Sequence, residues 1–299
     1  MESLAPIALF VYNRPEHTLK TLNSLRENRL ASKSRLYIFA DGPKNDLVKE
    51  GVEQVRQIVS KIEGFLEVTI KENEHNLGLA NSVISGVSSI LANHDNIIVL
   101  EDDLVTSPDF LNFMNEALNF YKKKEEVFSI SGYSYPLASL KKANYSAYFS
   151  HRGSSWSWGI WSDRWKSIDW DIEDRDILIK DKQLQNQFNK TCGPDMSGML
   201  IRQLDGRIDS WAIRFAYSSF KQRKLHVLAT KNKVNNIGHD NSGTHSPKTT
   251  KYNVKLVSED VYLFPDNPIV NSKIHNELIE FHKKPFLIRL LRKFIPVKK

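Results

Sequence analysis

Along the first 120 residues the apolar positions change period repeatedly, and the alternation predicts a wound α/β sheet. Residues 5 to 11 (APIALFV) form a short continuous apolar run, the pattern of a strand buried on both faces. Pro15 opens a helix over residues 15 to 28 that carries Leu19, Leu22 and Leu25 on one face. Strands at 35 to 40 (RLYIFA) and 66 to 70 (LEVTI) then alternate with two helices. The first is marked by Val48, Val52, Val55, Val59 and Ile62, the second by Leu79, Val83, Ile84, Val87, Ile90 and Leu91. A fourth apolar run, Ile97 to Leu100, leads into Glu101, Asp102 and Asp103. Ser107 then reads as an N-cap, Pro108 as the first helical residue, and Asp109 as a favourable charge near the helix start. Phe110, Phe113, Met114, Ala117, Leu118 and Tyr121 recur at helical spacing behind them. This β-α order predicts a mainly parallel sheet with helices on both faces.

Past residue 130 the pattern loosens. VFSISG (127 to 132), SAYFS (146 to 150) and LHVLAT (225 to 230) read as strands, with helical patches at 176 to 188, 194 to 204 and 210 to 223. The segment 153 to 171 holds five of the six tryptophans, and residues 235 to 250 have loop composition throughout. No repeats and no disordered linker stand out. The expected division is a ligand-binding half over 1 to 131, a second half of the same domain over 132 to 271, and a tail over 272 to 299.

Charge sharpens the picture of the tail. Residues 281 to 299 carry seven Lys and Arg and no acid, which equals the whole net charge of +7. The body of the protein is therefore balanced, and nucleic acid is not an expected partner. Within the tail, Leu287, Leu290, Leu291 and Phe294 share one helical face, with Arg289, Arg292 and Lys293 on the other. That amphipathic pattern suits an anionic membrane surface or the protein's own exterior. The single cysteine, Cys192, excludes an internal disulfide framework, fits a reducing compartment and reads as a buried small residue. The opening residues have no basic stretch before their short apolar run and read as a first strand rather than a signal peptide. No apolar run is long enough for a membrane-spanning helix.

Acids at the C-terminal end of a buried strand lie where open α/β sheets bind ligands. Hard divalent cations such as Mg²⁺ or Mn²⁺ take oxygen ligands, often shared with a diphosphate. Along an extended chain Glu101 and Asp103 point one way and Asp102 the other. There is no GxxxxGK[ST] and no GxGxxG after the first strand, so the usual phosphate-cradling glycine loops are missing.

Four stretches carry a family resemblance: PIALFVYNRPEHTLKTLNSL (6 to 25), FADGP (39 to 43), NLGLANS (76 to 82) and VLEDDLVTSPDF (99 to 110). Weaker islands are the Trp-rich segment, IDSWAIRF (208 to 215) and IGHDNSGTH (237 to 245). Together they resemble the GT-A glycosyltransferases, in particular the animal N-acetylglucosaminyltransferase I group and bacterial sugar transferases with similar motifs. The resemblance implies a GT-A fold, a nucleotide-sugar donor, and Mn²⁺ or Mg²⁺ as cofactor. It implies Asp103 as metal ligand, Asp102 on the donor ribose, Asp41 toward the base and Arg14 toward the diphosphate. Glu101, Trp158, His239 and His245 join them as donor-side candidates, with Trp156 as a second possible sugar platform. Asp205, Asp209 and Asp240 are candidates for the catalytic base, and Asp209 aligns with it. Two departures stand out. The animal enzyme's nucleotide-side histidine has no counterpart at Ala80-Asn81-Ser82, and the animal N-terminal anchor has none here. A cytoplasmic bacterial enzyme, held at the inner face of the membrane by its tail, is the expectation. Its acceptor would be a glycan or a lipid-linked sugar. Competing expectations are a nucleotidyltransferase and a non-catalytic glycan-binding module at the membrane.

Overall fold

A computed structural model describes residues 4–241 and 248–283 of the chain. His245 and the tail segment 285 to 295 lie outside the described residues. Four strands, β1 (Ile7–Val11), β2 (Arg35–Ala40), β3 (Glu67–Glu72) and β4 (Asn96–Glu101), alternate with α1 (Pro15–Arg26), α2 (Lys49–Val59) and α3 (Leu79–Leu91). After β4 come the short strand β5 (Leu104–Thr106) and helix α4 (Phe110–Tyr121). The second half adds β6 (Val127–Ser131), β7 (Ala147–Ser150), β8 (Trp158–Trp161), β9 (Leu225–Ala229) and β10 (Val234–Asn236). Its helices are α5 (Ser162–Lys166), α6 (Arg175–Lys180), α7 (Lys182–Cys192), α8 (Met196–Leu204), α9 (Trp211–Lys221) and α10 (Ser272–Phe281).

Among the described residues the strands build one eight-stranded sheet, ordered β3-β2-β1-β4-β8-β6-β9-β7, and a two-stranded ribbon of β5 and β10. β1 to β4 are mutually parallel, β8 runs against β4 and β6, and β7 runs against β9. The sheet is thus mainly parallel, as the α/β pattern requires. Alternation along β1 divides the core. Ile7, Leu9 and Val11 pack with Leu22 and Leu25 of α1, Val55 and Val59 of α2, and the apolar face of α4. Ala8 and Phe10 face the other way, onto Ala80, Val83 and Val87 of α3 and onto Trp211 and Phe215 of α9. The chain winds outward from β1 to β3 and returns as β4 on the other side of β1. That reversal opens a crevice between the C-terminal ends of β1 and β4.

Several sequence expectations change. Leu19 is largely exposed, and α1 buries Thr18 and Thr21 beside Leu22 and Leu25 instead. The patch 176 to 188 is two helices, because Asp181 leaves helical geometry (ψ 96°) and caps α7 through Gln183 N and Leu184 N. Ser107 does not start α4, which begins at Phe110 behind Asp109. The stretch from 235 is not loop throughout, since Asn235 and Asn236 pair with Val105 and Leu104 in the ribbon. The Trp-rich segment contributes a central strand, β8. Cys192 is buried as expected. Its thiol contacts His151 O at 3.3 Å, and burial pushes it up to about 12.

Candidate functional site

The crevice between β1 and β4 collects charge from both strand ends. Arg14 follows β1 and opens α1, whose first helical residue is Pro15, so its side chain starts at the sheet's C-terminal lip. Asp102 and Asp103 follow β4. Arg14 Nη2 bonds Asp102 Oδ1 and reaches Asp103 Oδ2 at 3.1 Å. The three side chains are mostly buried, at 18%, 6% and 11% exposure. Burial lowers the guanidinium's proton affinity, but the two aspartates outweigh it and hold Arg14 above its ordinary range. The carboxyls are the strained partners. Burial pushes Glu101 up to about 8, with Asp103 and Asp102 adding to the rise and the Arg14 charge opposing it. Burial also pushes Asp102 up to about 6 against the pull of Arg14. One guanidinium faces three acids, so the crevice holds more negative charge than it neutralises.

The ribbon closes one wall. Ile237 N donates to Asp103 O at 2.8 Å, and Asn236 Nδ2 reaches Asp103 Oδ1 at 3.3 Å. Gly238 must be glycine, because a Cβ there would stand 2.1 Å from Asp103 Oδ2 and 2.8 Å from Arg14 Nη1. His239 follows. Its ring stacks on Tyr252 with centroids 5.0 Å apart and meets the edge of Trp156 at 5.3 Å. Among the described residues neither of its buried ring nitrogens has a hydrogen-bond partner. Asp240 Oδ2 lies 3.1 Å from His17 Nε2.

At the ribbon's other end lies a second ionic cluster, in which Lys233 and Asp109 are fully buried and Glu259 is 13% exposed. Lys233 Nζ donates to Asp109 Oδ2 at 2.7 Å, Val257 O at 2.8 Å and Glu259 Oε2 at 3.0 Å. Asp109 also receives Ser107 Oγ, Glu259 N and the Tyr262 hydroxyl. Burial works to raise Asp109, yet these donors hold it at about 2. Asp109 is therefore the anchor of a structural network rather than a simple helix-start charge.

Two further acids meet at the start of α3. Asp41, just past β2, accepts from Gly42 N, Leu77 N and Gly78 N and from the amides of Asn73 and Asn76, all within 2.9 to 3.2 Å. A carboxylate has about four lone-pair sites, so these donors occupy it fully and Asp41 holds the 73–78 loop in shape. Asp209 sits just before α9, but Ser210 is that helix's cap. Asp209 Oδ2 instead accepts from Ala80 N at 3.2 Å, at the start of α3, where Gly78 has φ 78° and leaves room for it. Trp211 and Phe215 pack α9 against the α3 face of the sheet, which is why a residue 129 positions away arrives there. The Asp209 side chain is otherwise exposed to solvent. Asp205 pairs with Arg207 on the surface.

Trp158 is a correction. It is 1% exposed in β8 and lies among Trp165, Trp211 and Phe215, so it fills the core and presents no face to a ligand. The partly exposed Trp156, two residues earlier, is the tryptophan beside His239. The sequence reading missed Asn236, Gly238 and Trp211 as site-forming residues. The first two lie in or beside the IGHDNSGTH island, and Trp211 lies in IDSWAIRF.

For a divalent cation the donor set fits in chemistry and is incomplete in number. Asp102 and Asp103 already converge oxygens on one cationic group, the Arg14 guanidinium. No group of three or more His, Cys, Asp or Glu capable of holding a metal occurs among the described residues. Mg²⁺-type sites need no more than one or two carboxylates when phosphate and water supply the rest.

The profile of Glycosyl transferase family 2 matches residues 7–191, more than half of the chain. No curated protein matches the chain. Among solved structures, galactosyltransferase LgtC in complex with donor and acceptor sugar analogs is similar at 10% identity, over 74% of this chain and 72% of that one, with a TM-score of 0.40. TarS of S. aureus is similar at 12% identity, over 77% of this chain and 36% of that one, with a TM-score of 0.38.

Proposed function

Because the chain belongs to glycosyl transferase family 2 and has the GT-A arrangement, we propose that this glycosyltransferase moves a hexose or N-acetylhexosamine, with inversion, from a nucleotide-diphosphate donor. UDP-sugar is the first choice of donor, and the acceptor is a hydroxyl of a glycan or lipid-linked sugar. The observation that carries this reading is Arg14, Asp102 and Asp103 standing together across the β1–β4 crevice. Arg14 suits the diphosphate, because a guanidinium binds phosphate oxygens through paired donors. Asp102 faces the ribose, and Asp41 serves the base side by fixing the loop that lines it. Glu101, His239 and Trp156 border the donor sugar and its phosphates. Mn²⁺ or Mg²⁺, held by Asp103 and donor oxygens, would supply positive charge to the departing diphosphate.

Asp209 is the proposed base. It accepts the proton of the attacking hydroxyl while the acceptor oxygen bonds the anomeric carbon and the carbon–diphosphate bond breaks, the diphosphate leaving with the electron pair. Its Oδ2 is fixed by Ala80 N, which orients the carboxylate without enclosing it. No helix among the described residues is long and apolar enough to cross a membrane. The basic, amphipathic sequence of the tail supports reversible attachment to an anionic membrane, and truncation after Lys284 should abolish flotation with anionic vesicles.

The direct test is a thermal-shift panel of nucleoside diphosphates with and without Mn²⁺. UDP with Mn²⁺ should raise the melting temperature, since a ligand of the folded state alone stabilises it. A flat response across the panel would remove the donor assignment.

A further inference from the structure

We propose that Arg14 is an internal counter-cation that must be exchanged for the metal at Asp103, and that this exchange couples metal binding to diphosphate binding. The proposal rests on the donor reading above. In the structure neither oxygen of Asp103 is idle. Oδ2 receives Arg14 Nη2 at 3.1 Å and is pressed against Gly238, while Oδ1 receives Asn236 Nδ2 at 3.3 Å. Arg14 also spans to Asp102, so one guanidinium neutralises two carboxylates.

A divalent ion on Asp103 and a guanidinium on the same carboxylate repel each other. At so short a separation the repulsion is strong in a buried crevice, and the double charge of the metal raises it further. The ion therefore requires Arg14 to leave Asp103. Leaving has its own cost, because a guanidinium whose side chain is only 18% exposed gives up one of its two carboxylate partners and keeps Asp102 alone. A diphosphate removes that cost by giving the guanidinium two new anionic oxygens. Metal alone meets a site already filled by a cation, and nucleotide alone meets a guanidinium already committed to carboxylates. Bound together, each ligand relieves the obstacle to the other, and the two affinities change by the same factor.

Mn²⁺ binding, followed through the EPR signal of the free ion, tests this with and without saturating UDP. The parent protein should bind Mn²⁺ at least about tenfold more tightly with UDP than without. Arg14→Gln should bind Mn²⁺ alone about tenfold more tightly than the parent, and the enhancement by UDP should be about tenfold smaller than the parent's, what remains coming from the diphosphate oxygens on the metal. An Arg14→Gln protein that binds Mn²⁺ alone no better than the parent overturns the exchange, as does a parent indifferent to UDP while binding both ligands. If Arg14→Gln does not fold, the Arg14 Nε resonance of the parent decides. It should shift when Mg²⁺ and UDP are both present and stay put with Mg²⁺ alone, and a shift with Mg²⁺ alone contradicts the coupling. A parent that binds no UDP under any condition refutes the donor reading separately, and the Mn²⁺-only comparison of Arg14→Gln with the parent still judges the exchange.

Discussion

Two buried ionic clusters sit at opposite ends of the same three-residue ribbon, and they differ in how completely they are satisfied. At the Lys233 end, every donor of the ammonium has an oxygen partner, and Asp109 collects four kinds of donor. Its carboxyl stays ionised down to about 2. At the Arg14 end, one guanidinium serves two aspartates with Glu101 alongside, and the carboxyls of Glu101 and Asp102 are pushed to about 8 and about 6. His239 next door has two ring nitrogens with no partner among the described residues. A saturated network has nothing left to offer a ligand and acts as structure. An unsaturated one stores electrostatic strain that a ligand can relieve, which is the usual mark of a site.

The largest expected effect breaks the saturated end. Lys233→Met keeps most of the side-chain volume but leaves Asp109 and Glu259 without their cation. Stability should fall by about 3–5 kcal/mol, the cost of an uncompensated buried charge. Lys233→Met with Asp109→Leu should recover most of that loss, since apolar replacement of a whole buried pair is often neutral. Urea unfolding measures both. A loss under about 1 kcal/mol in the single variant would mean that the network is not the anchor its bonds suggest.

Removing a group at the ligand end should instead cost function. Asp209→Asn preserves the acceptor oxygen that Ala80 N uses but removes the basic carboxylate. Transfer should fall by about a hundredfold or more, equivalent to about 2.7 kcal/mol, with nucleotide and Mn²⁺ binding unchanged. Near-parental transfer, or a product that keeps the donor's anomeric configuration, would exclude Asp209 as base. A smaller loss is expected for Gly238→Ala, whose added carbon collides with Asp103 Oδ2. UDP binding in the presence of Mn²⁺ should weaken by about tenfold, read by calorimetry, while the melting temperature changes little. Equal binding by this variant would show that the ribbon wall does not shape the site.

The legibility of these two clusters in the sequence was unequal for a physical reason. β1 to β4 and their helices are local patterns, continuous apolar runs and periods of 3.6, and they appear where the pattern puts them. Asp102 and Asp103 follow directly, because they end a buried strand beside a topological reversal, whereas Arg14 was singled out by the family resemblance. The Lys233 network was invisible. Asp109 and Lys233 are 124 positions apart, and KNKVNN looks like a solvated loop. β5, β8 and β10 are three or four residues long and are defined only by partners far along the chain. Trp158 misled for the same reason. Small neighbours suggest an open loop, but Gly159 is small because Leu118, Met114 and the Ile97 carbonyl press against it. Asp41 showed its turn but not its role, since all its partners except the adjacent Gly42 lie 32 to 37 positions away.

The finest distinction between the clusters lies in their response to pH. Glu101 has a folded-state value of about 8 against an ordinary 4.5, so between those values the folded protein keeps a proton that the unfolded chain has released. Stability contributed by that proton is full below pH 4.5 and is lost as pH rises through about 8, with a slope of at most about 1.4 kcal/mol per pH unit. Glutamine cannot ionise, so Glu101→Gln lacks this loss. The stability difference between Glu101→Gln and the parent should move in favour of the variant as pH rises across that window. Asp109 has the opposite sign. Its lowered value contributes stability that is present above the ordinary 3.8 and is lost only as pH falls toward about 2. The difference between Asp109→Asn and the parent should therefore stay level over the pH range where the Glu101→Gln difference slopes. Urea midpoints across the range check both. Parallel, level differences for the two variants would show that the crevice is as well satisfied as the Lys233 network, and the contrast on which the site assignment leans would be gone.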